Sequence, residues 1–151
     1  MKQIESFKVI GIAVRTTNEN NQAMNDISLL WNKFFSENLI EKIPNKLGSE
    51  IYCIYTEYEK DYTKPYTTII GCKVENLNEI PEGMIGKEIE GGKYQEFLAK
   101  GDLTKGAVFQ EWSKIWSNSD LKRRYTADFE VYGEKAQNQE NAEVEIYVGI
   151  E

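Results

Sequence analysis

The order strand, amphipathic helix and hairpin occurs twice along this chain, and this repeat limits the available folds more than any other feature. In the first half, the β-branched run Phe7–Thr16 predicts a strand, and the polar segment after it leads to a helix from about Asn25. The hairpin is predicted over 50–58 and 66–74. The helix has one apolar stripe at helical spacing, formed by Ile27, Leu30, Trp31, Phe34 and Phe35.

The second half repeats this order, with a strand over 91–101, a helix over 104–118 and a hairpin over 127–134 and 144–151. The segment between the halves predicts a turn at Pro81 and then a short strand or an extended connection. No linker interrupts the chain, so we expect one domain over 1–151. It would be an α+β fold of two β-α-β-β units, 1–80 and 81–151, related by a pseudo-two-fold axis. The antiparallel sheet would carry two main helices, with a groove where the units meet.

Two strands near the end carry a glutamate two places before a tyrosine, namely Glu130 with Tyr132 and Glu145 with Tyr147. Because side chains alternate along a strand, each glutamate shares a face with its tyrosine. Two helices can cover only one face of such a sheet, so the Glu and Tyr rows should face away from the helices or into the groove. The apolar rows expected on the helix side are Ile146, Val148 and Ile150 in one strand and Phe129 and Val131 in the other.

Charge and hydropathy exclude several partners. The chain has 25 acidic and 18 basic residues, a formal net charge of −7, and no basic stripe with interleaved aromatic residues, so direct nucleic-acid binding is not expected. No apolar run approaches membrane-spanning length, and the run from Val9 to Val14 is too short for an export signal. We therefore expect a cytoplasmic protein without a membrane partner, in which Cys53 and Cys72 are buried, reduced thiols on adjacent strands.

Histidine is absent from the chain, which limits the chemistry available to it. Nucleophiles activated by histidine and most zinc sites are excluded. No metal site and no cofactor are predicted, and any catalysis would have to use carboxylates, tyrosines or water.

Several stretches resemble a known family. "GGKYQEFLAKGDL", "EWSKIW", "RRYTADFEVYG" and "VEIYVGIE" are similar to the effector-binding domain at the C-termini of some AraC- and MerR-type transcription regulators, which also stands alone as the GyrI-like proteins. The front half resembles the single-domain, integron-associated members in particular. The likeness runs almost from end to end. The helix-turn-helix domain of the regulators is missing, which argues against direct transcriptional control and leaves room for a separately encoded regulator or protein partner.

The resemblance implies a duplicated β-α-β-β fold with a central cleft, which regulators of this family use to bind lipophilic cationic drugs between aromatic walls and a buried glutamate. The "DFEVY" motif maps that glutamate onto Glu130. Burial in an aromatic pocket should raise the pKa of this carboxyl unless a cation or a hydroxyl donor compensates. Tyr132 or a tyrosine of a neighbouring strand could supply that hydroxyl. The alternative is a solvated carboxylate on an open sheet face.

Aromatic residues provide the other candidates for the cleft. Trp112 belongs to the matching segment, whereas Trp31 fits simple core packing, and only one of Tyr52 and Tyr55 should reach the cleft because they alternate. Trp116 could be core or rim. Glu145 is either a second anion in the site or a surface partner of a lysine. The predicted ligand-binding residues are Glu130, Trp112, Tyr94, Tyr132, Tyr55, Trp116 and Glu145.

The expected function is a binding domain for amphipathic cationic or polycyclic compounds, acting in sensing or sequestration. No catalytic residue is assigned on this hypothesis. One alternative is a hydrolase of reactive cyclopropyl-type compounds, an activity assigned to some GyrI-like members, in which Glu130 would position or activate water. Another is a protein-interaction module, such as a gyrase-modulating protein.

Overall fold

The computed structural model describes residues 1–151 as eight strands and two α-helices. The strands are β1 (Lys2–Ile4), β2 (Phe7–Thr16), β3 (Ile51–Thr56), β4 (Tyr66–Val74), β5 (Ile85–Ile89), β6 (Gly92–Gly101), β7 (Arg123–Tyr132) and β8 (Ala142–Ile150). The helices are α1 (Gln22–Ser36) and α2 (Ala107–Trp116). Short 3-10 turns lie at Glu19–Asn21, Leu39–Lys42, Leu103–Lys105, Glu134–Ala136 and Gln139–Asn141.

All eight strands form one antiparallel sheet in the order β1-β6-β8-β7-β3-β4-β2-β5. The order is symmetrical about the β7–β3 pair: β8, β6 and β1 follow on one side, and β4, β2 and β5 on the other. The short strands β1 and β5 each pair with the long strand of the opposite half. The α+β fold with two helices and a curled, duplicated antiparallel sheet is therefore confirmed. The sequence pattern did not predict β1, and it placed the start of β7 four residues too late.

Both helices cover the same face of the sheet. Leu30 and Phe34 of α1 pack on the apolar residues of β2 and β4, and Trp112 and Ile115 of α2 pack on Val144, Ile146 and Val148 of β8. The opposite face carries its own buried cluster, in which Phe129 is central. Neither helix is both long and apolar enough to span a bilayer.

The pairing of β7 with β8 corrects one expectation about the faces. Glu130 lies opposite Ile146, and Val131 lies opposite Glu145. Residues directly opposite each other in an antiparallel pair share a face. Ile146 and Val148 do face α2, but Phe129 and Val131 lie on the other face, so the helix side predicted for them was wrong. Glu130 consequently lies under the helices and Glu145 does not.

Candidate functional site

A cavity of about 320 Å³ lies between the two helices and the covered face of the sheet, near the junction of β3 and β7. Its walls are mainly aromatic. They include Trp31 from α1, Trp112 and Trp116 from α2, Tyr55 from β3, Tyr58 and Tyr62 from the β3–β4 loop, Tyr66 from β4 and Tyr132 from β7. An aromatic and apolar lining strips water from any ligand and favours flat or bulky apolar groups.

Glu130 lies in the wall of this cavity and is 1% exposed. Three donors hold its carboxylate. Oε2 accepts hydrogen bonds from the Tyr55 hydroxyl at 2.7 Å and from Trp112 Nε1 at 2.7 Å, and Oε1 accepts one from the Tyr132 hydroxyl at 2.5 Å. No basic side chain forms an ion pair with it. The site is therefore a buried acid that is hydrogen-bonded but has no counter-charge.

Burial raises the pKa of Glu130, and the hydrogen bonds from Tyr132, Tyr55 and Trp112 oppose this without cancelling it. The pKa values of Tyr132 and Tyr55 are also raised well above the ordinary value, mainly by burial, with Glu130 as a further cause. These hydroxyls accordingly remain protonated and act as donors to the carboxylate.

The strand register brings these groups together. Cys53 lies opposite Glu130 in the β3–β7 pair, so Tyr55, two residues further along β3, shares the face of the carboxylate. Trp112 reaches the same point because it lies on the apolar face of α2, where its ring meets that of Tyr55 edge to face with centroids 5.6 Å apart. Residues far apart in the chain thus converge on one carboxylate.

Asp128 and Arg123 form a second polar cluster at the cavity. Asp128 is fully buried and accepts hydrogen bonds from the Tyr58 hydroxyl at 2.5 Å, from Arg123 Nη2 at 2.6 Å and from the Gly149 backbone N–H at 2.8 Å. The Arg123 side chain is 5% exposed and lines the cavity. A buried carboxylate with three donors, one of them charged, is well compensated.

A bulge in β7 explains why Arg123 reaches the cavity. Arg123 lies opposite Ile150 and Asp128 opposite Val148, so five steps along β7 match two along β8. The extra residues include Tyr125, whose φ of 58° is in the left-handed region. In a regular strand, five steps would put Arg123 and Asp128 on opposite faces. The bulge places them on the same face.

Four of the other predicted site residues line the cavity together with Glu130, namely Tyr55, Tyr132, Trp112 and Trp116. Tyr94 does not. It is buried on the other face, 5.4 Å from the Phe129 ring between centroids, and its hydroxyl donates to the Glu90 carbonyl. The reason is the register of β6: Phe97, opposite Ile146, lies on the helix side, whereas Tyr94, which was expected in the wall of the cleft, lies on the other face.

Glu145 also lies outside the cavity. It borders a groove on the opposite face of the sheet and accepts a hydrogen bond from the Tyr147 hydroxyl at 2.9 Å. The Glu-x-Tyr pattern thus occurs once on each face, because Glu145 pairs with Val131 rather than with Glu130. Alternation within one strand could not show this, since it does not say which face of the next strand is adjacent.

Sequence reasoning missed several cavity residues. Trp31, assigned to core packing, contacts the Tyr132 ring edge to face at 5.0 Å between centroids and lines the cavity. Tyr62 stacks on Trp116 at 5.5 Å, with an interplanar angle of 6°, so the β3–β4 loop covers one side. The only sequence signal was the number of tyrosines in a charged loop. The missed lining residues include Trp31, Tyr58, Tyr62, Tyr66 and Arg123. Asp128, the buried partner of Tyr58 and Arg123, was also missed.

Nothing in the site suggests a metal centre, and no three Cys, Asp or Glu side chains are grouped closely enough to hold an ion. Cys53 and Cys72 are both buried free thiols on adjacent strands.

Several known proteins are similar to this chain over nearly its whole length. An integron cassette protein from the mobile metagenome of Vibrio cholerae is 32% identical, with a TM-score of 0.77 over 99% of this chain and 94% of that one. The structure of SAV2435 bound to tetraphenylphosphonium is 21% identical, with a TM-score of 0.82 over 99% and 92%, and shows the same fold. YobU of Bacillus subtilis (strain 168), whose name proposes a transcriptional regulator, is 24% identical over 143 residues, 93% of this chain and 89% of YobU.

The model of one protein family, described as integron-associated effector binding protein (Cass2), matches residues 1–150. This is the family that the sequence resemblance had indicated. Since the match extends over almost every residue, the chain belongs to the integron-associated effector binding proteins.

Proposed function

We propose that this protein binds lipophilic organic cations in the aromatic cavity and acts as a sensing or sequestering module. The observation that carries the proposal is Glu130, a fully buried carboxylate without a counter-charge in an aromatic wall. A buried anion of this kind is costly in the empty protein, and a cation entering the cavity would supply the missing charge.

The surrounding charges favour a cation over an anion. Arg123 and Asp128 compensate each other through their ion pair, so the Glu130 carboxylate is the unbalanced charge of the cavity. Aromatic faces attract cations further, by about 0.5 to 2 kcal/mol for a well-placed ring. Electrostatics and shape thus favour the same ligand class.

The relatives support this class. SAV2435, which has the same fold, was solved with tetraphenylphosphonium, a bulky aromatic cation. The name of YobU supports a link to transcriptional regulation.

The first test measures binding of tetraphenylphosphonium and of tetraphenylborate, its anionic counterpart of nearly the same shape. Saturable quenching of tryptophan fluorescence should report the cation, because Trp31, Trp112 and Trp116 line the cavity. We expect the borate to bind much more weakly. In Glu130→Gln the cation should bind about 30-fold more weakly or worse, since a desolvated charge partner contributes about 2 kcal/mol or more.

Glu145→Gln is the matched control for this test. Glu145 also has a tyrosine two residues later that donates to it, but it lies on the other face of the sheet. Its replacement should leave the affinity for the cation unchanged. Equal binding of phosphonium and borate, or an effect of Glu145→Gln as large as that of Glu130→Gln, would contradict the proposal.

Hydrolysis is the second candidate function, favoured by the raised pKa of Glu130. The geometry favours it less, because donors occupy both carboxylate oxygens: Tyr55 and Trp112 bind Oε2, and Tyr132 binds Oε1. Product formation from a reactive cyclopropyl compound that is abolished in Glu130→Gln, while binding persists, would establish the enzyme. Turnover no faster than in buffer would leave the binding function.

A further inference from the structure

Arg123 has hydrogen-bond donors that nothing in the protein uses. Its Nη2 donates to Asp128 at 2.6 Å, but its Nε and Nη1 are buried and have no partner. Buried donors are nearly always paired, because an unpaired one loses its hydration and gains nothing in return. A charged side chain that is 5% exposed and carries two unused nitrogens therefore requires an explanation.

The Arg123 side chain lines the same cavity as Glu130. The Arg123 guanidinium lies over the Trp112 ring, with Cζ 5.7 Å from the centroid, and the Nε1 of the same ring donates to Glu130. The indole of Trp112 thus donates from its edge to the Glu130 carboxylate and has the Arg123 guanidinium over its face. Both charged side chains therefore border the space that a ligand of this cavity would occupy.

The backbone is strained where it places Arg123. Tyr125 has a φ of 58° within the β7 bulge, and the guanidinium Cζ lies 4.3 Å from its ring centroid. A bulky residue in the left-handed region costs free energy, and such strain is commonly found at ligand sites. The bulge puts on the cavity face a side chain that a regular strand would have turned to the other side.

We propose that Arg123 forms a second ligand subsite, which binds an uncharged hydrogen-bond acceptor such as a ketone or amide carbonyl. The preferred ligands would then be lipophilic cations that carry this acceptor away from their positive charge. This inference rests on the proposed function and makes its ligand class more specific. A neutral acceptor fits better than an anionic one, because Asp128 already neutralises the guanidinium and Glu130 would repel a further negative charge.

A matched pair of ligands tests this on the unmodified protein. (4-Oxo-4-phenylbutyl)triphenylphosphonium carries a ketone that (4-phenylbutyl)triphenylphosphonium lacks, and the two cations are otherwise alike. Because a hydrogen bond from a charged donor is among the stronger ones, we expect the ketone cation to bind about ten-fold more tightly. Dissociation constants from isothermal titration calorimetry give this ratio directly.

The paired variant Arg123→Met/Asp128→Asn identifies the group responsible. Replacing both partners avoids leaving Asp128 as a buried, unpaired charge. The affinity ratio of the two ligands should fall to about one, whatever happens to the absolute affinities. Arg124→Met is the control, because Arg124 packs against Tyr94 away from the cavity, and it should keep the ten-fold ratio. Circular dichroism would first verify that each variant is folded.

The outcomes separate this inference from the function on which it rests. If neither cation binds the unmodified protein, the proposed function fails. If both bind with equal affinity, the cation site stands and the Arg123 subsite is refuted. A preference for the ketone that survives in the paired variant would also refute the role of Arg123.

Discussion

Burial and three hydrogen-bond donors have opposite effects on the pKa of the Glu130 carboxyl. Burial opposes its charge, whereas Tyr132, Tyr55 and Trp112 stabilise it, and the pKa remains above the ordinary value. The group is therefore easier to protonate than a surface glutamate. Its affinity for a cation should depend on pH as a consequence.

We predict that tetraphenylphosphonium binding weakens as the pH falls through the raised pKa of Glu130, at a higher pH than an ordinary glutamate would require. Protonation removes the charge that attracts the cation, and the ligand itself does not titrate. Dissociation constants between pH 8 and pH 4.5 would show this, with a flat profile for Glu130→Gln as the control. Parallel profiles for the two proteins would contradict the prediction.

The same pKa shift has a consequence for stability, with a definite sign. The folded protein takes up a proton at Glu130 at a higher pH than the unfolded chain does. As the pH falls through the folded pKa towards the unfolded one, Glu130 should therefore contribute increasing stability, which is complete below the unfolded pKa. Above the folded pKa its burial is destabilising. The contribution is measured as the change with pH in the difference between the unfolding free energies of wild type and Glu130→Gln. Other titrating groups contribute equally to both proteins and cancel in this difference.

At the level of elements, β2 and β4 come unusually close. Gly11 and Gly71 lie opposite each other in this pair. A Cβ on Gly71 would lie 2.1 Å from the Ile10 carbonyl oxygen and 2.7 Å from the Gly11 Cα, so only glycine fits. Glycine within a strand commonly marks such a close approach or a tight bend. The approach occurs in the part of the sheet that packs under α1.

We predict that Gly71→Ala lowers the free energy of unfolding by about 3 kcal/mol, because both obstructing atoms belong to the backbone and cannot rotate away. Thermal and urea unfolding would measure the loss. Gly133→Ala is the matched control: its φ is −104°, and its Cβ would lie 3.5 Å from Glu50 Cγ. That variant should change stability by less than about 1 kcal/mol. Equal effects at the two positions would argue against the close approach.

At the level of the whole molecule, ligand binding is coupled to folding. The cavity is assembled from α1, α2, β3, β4, β7 and the β3–β4 loop, so it exists only when both halves of the chain are folded together. A ligand that binds this assembled state and not the unfolded chain must stabilise the fold. The net charge of −7 also attracts cations to the protein over longer distances, an effect that salt screens.

We predict that tetraphenylphosphonium at 100 times its dissociation constant stabilises the protein by about 2.7 kcal/mol. For a domain of this size the midpoint of thermal unfolding should rise by roughly 5 to 10 °C. Differential scanning calorimetry at several ligand concentrations would measure the shift. Tetraphenylborate should produce little shift, and an equal shift for Glu130→Gln at the same concentration would contradict binding beside that carboxylate.

Local patterns determined most of the elements and one central residue. Helical spacing predicted α1 and α2, β-branched runs predicted the long strands, and the "DFEVY" motif singled out Glu130 through its family resemblance. The signals for the elements depend on side-chain periodicity that each segment has by itself. The choice of Glu130 depends on the family resemblance, which also concerns a short stretch of chain. Both kinds of signal could therefore be read without knowing how the segments pack.

Only the tertiary structure decided which residues meet around Glu130. The strand register put Tyr55 beside it and turned Tyr94 and Glu145 to the other face. The β7 bulge brought Arg123 to the cavity wall, where Asp128 binds it. A shift of one residue exchanges the two faces of a strand. That choice depends on pairing and packing between residues distant in the chain, such as Tyr55 with Glu130, which no local pattern contains.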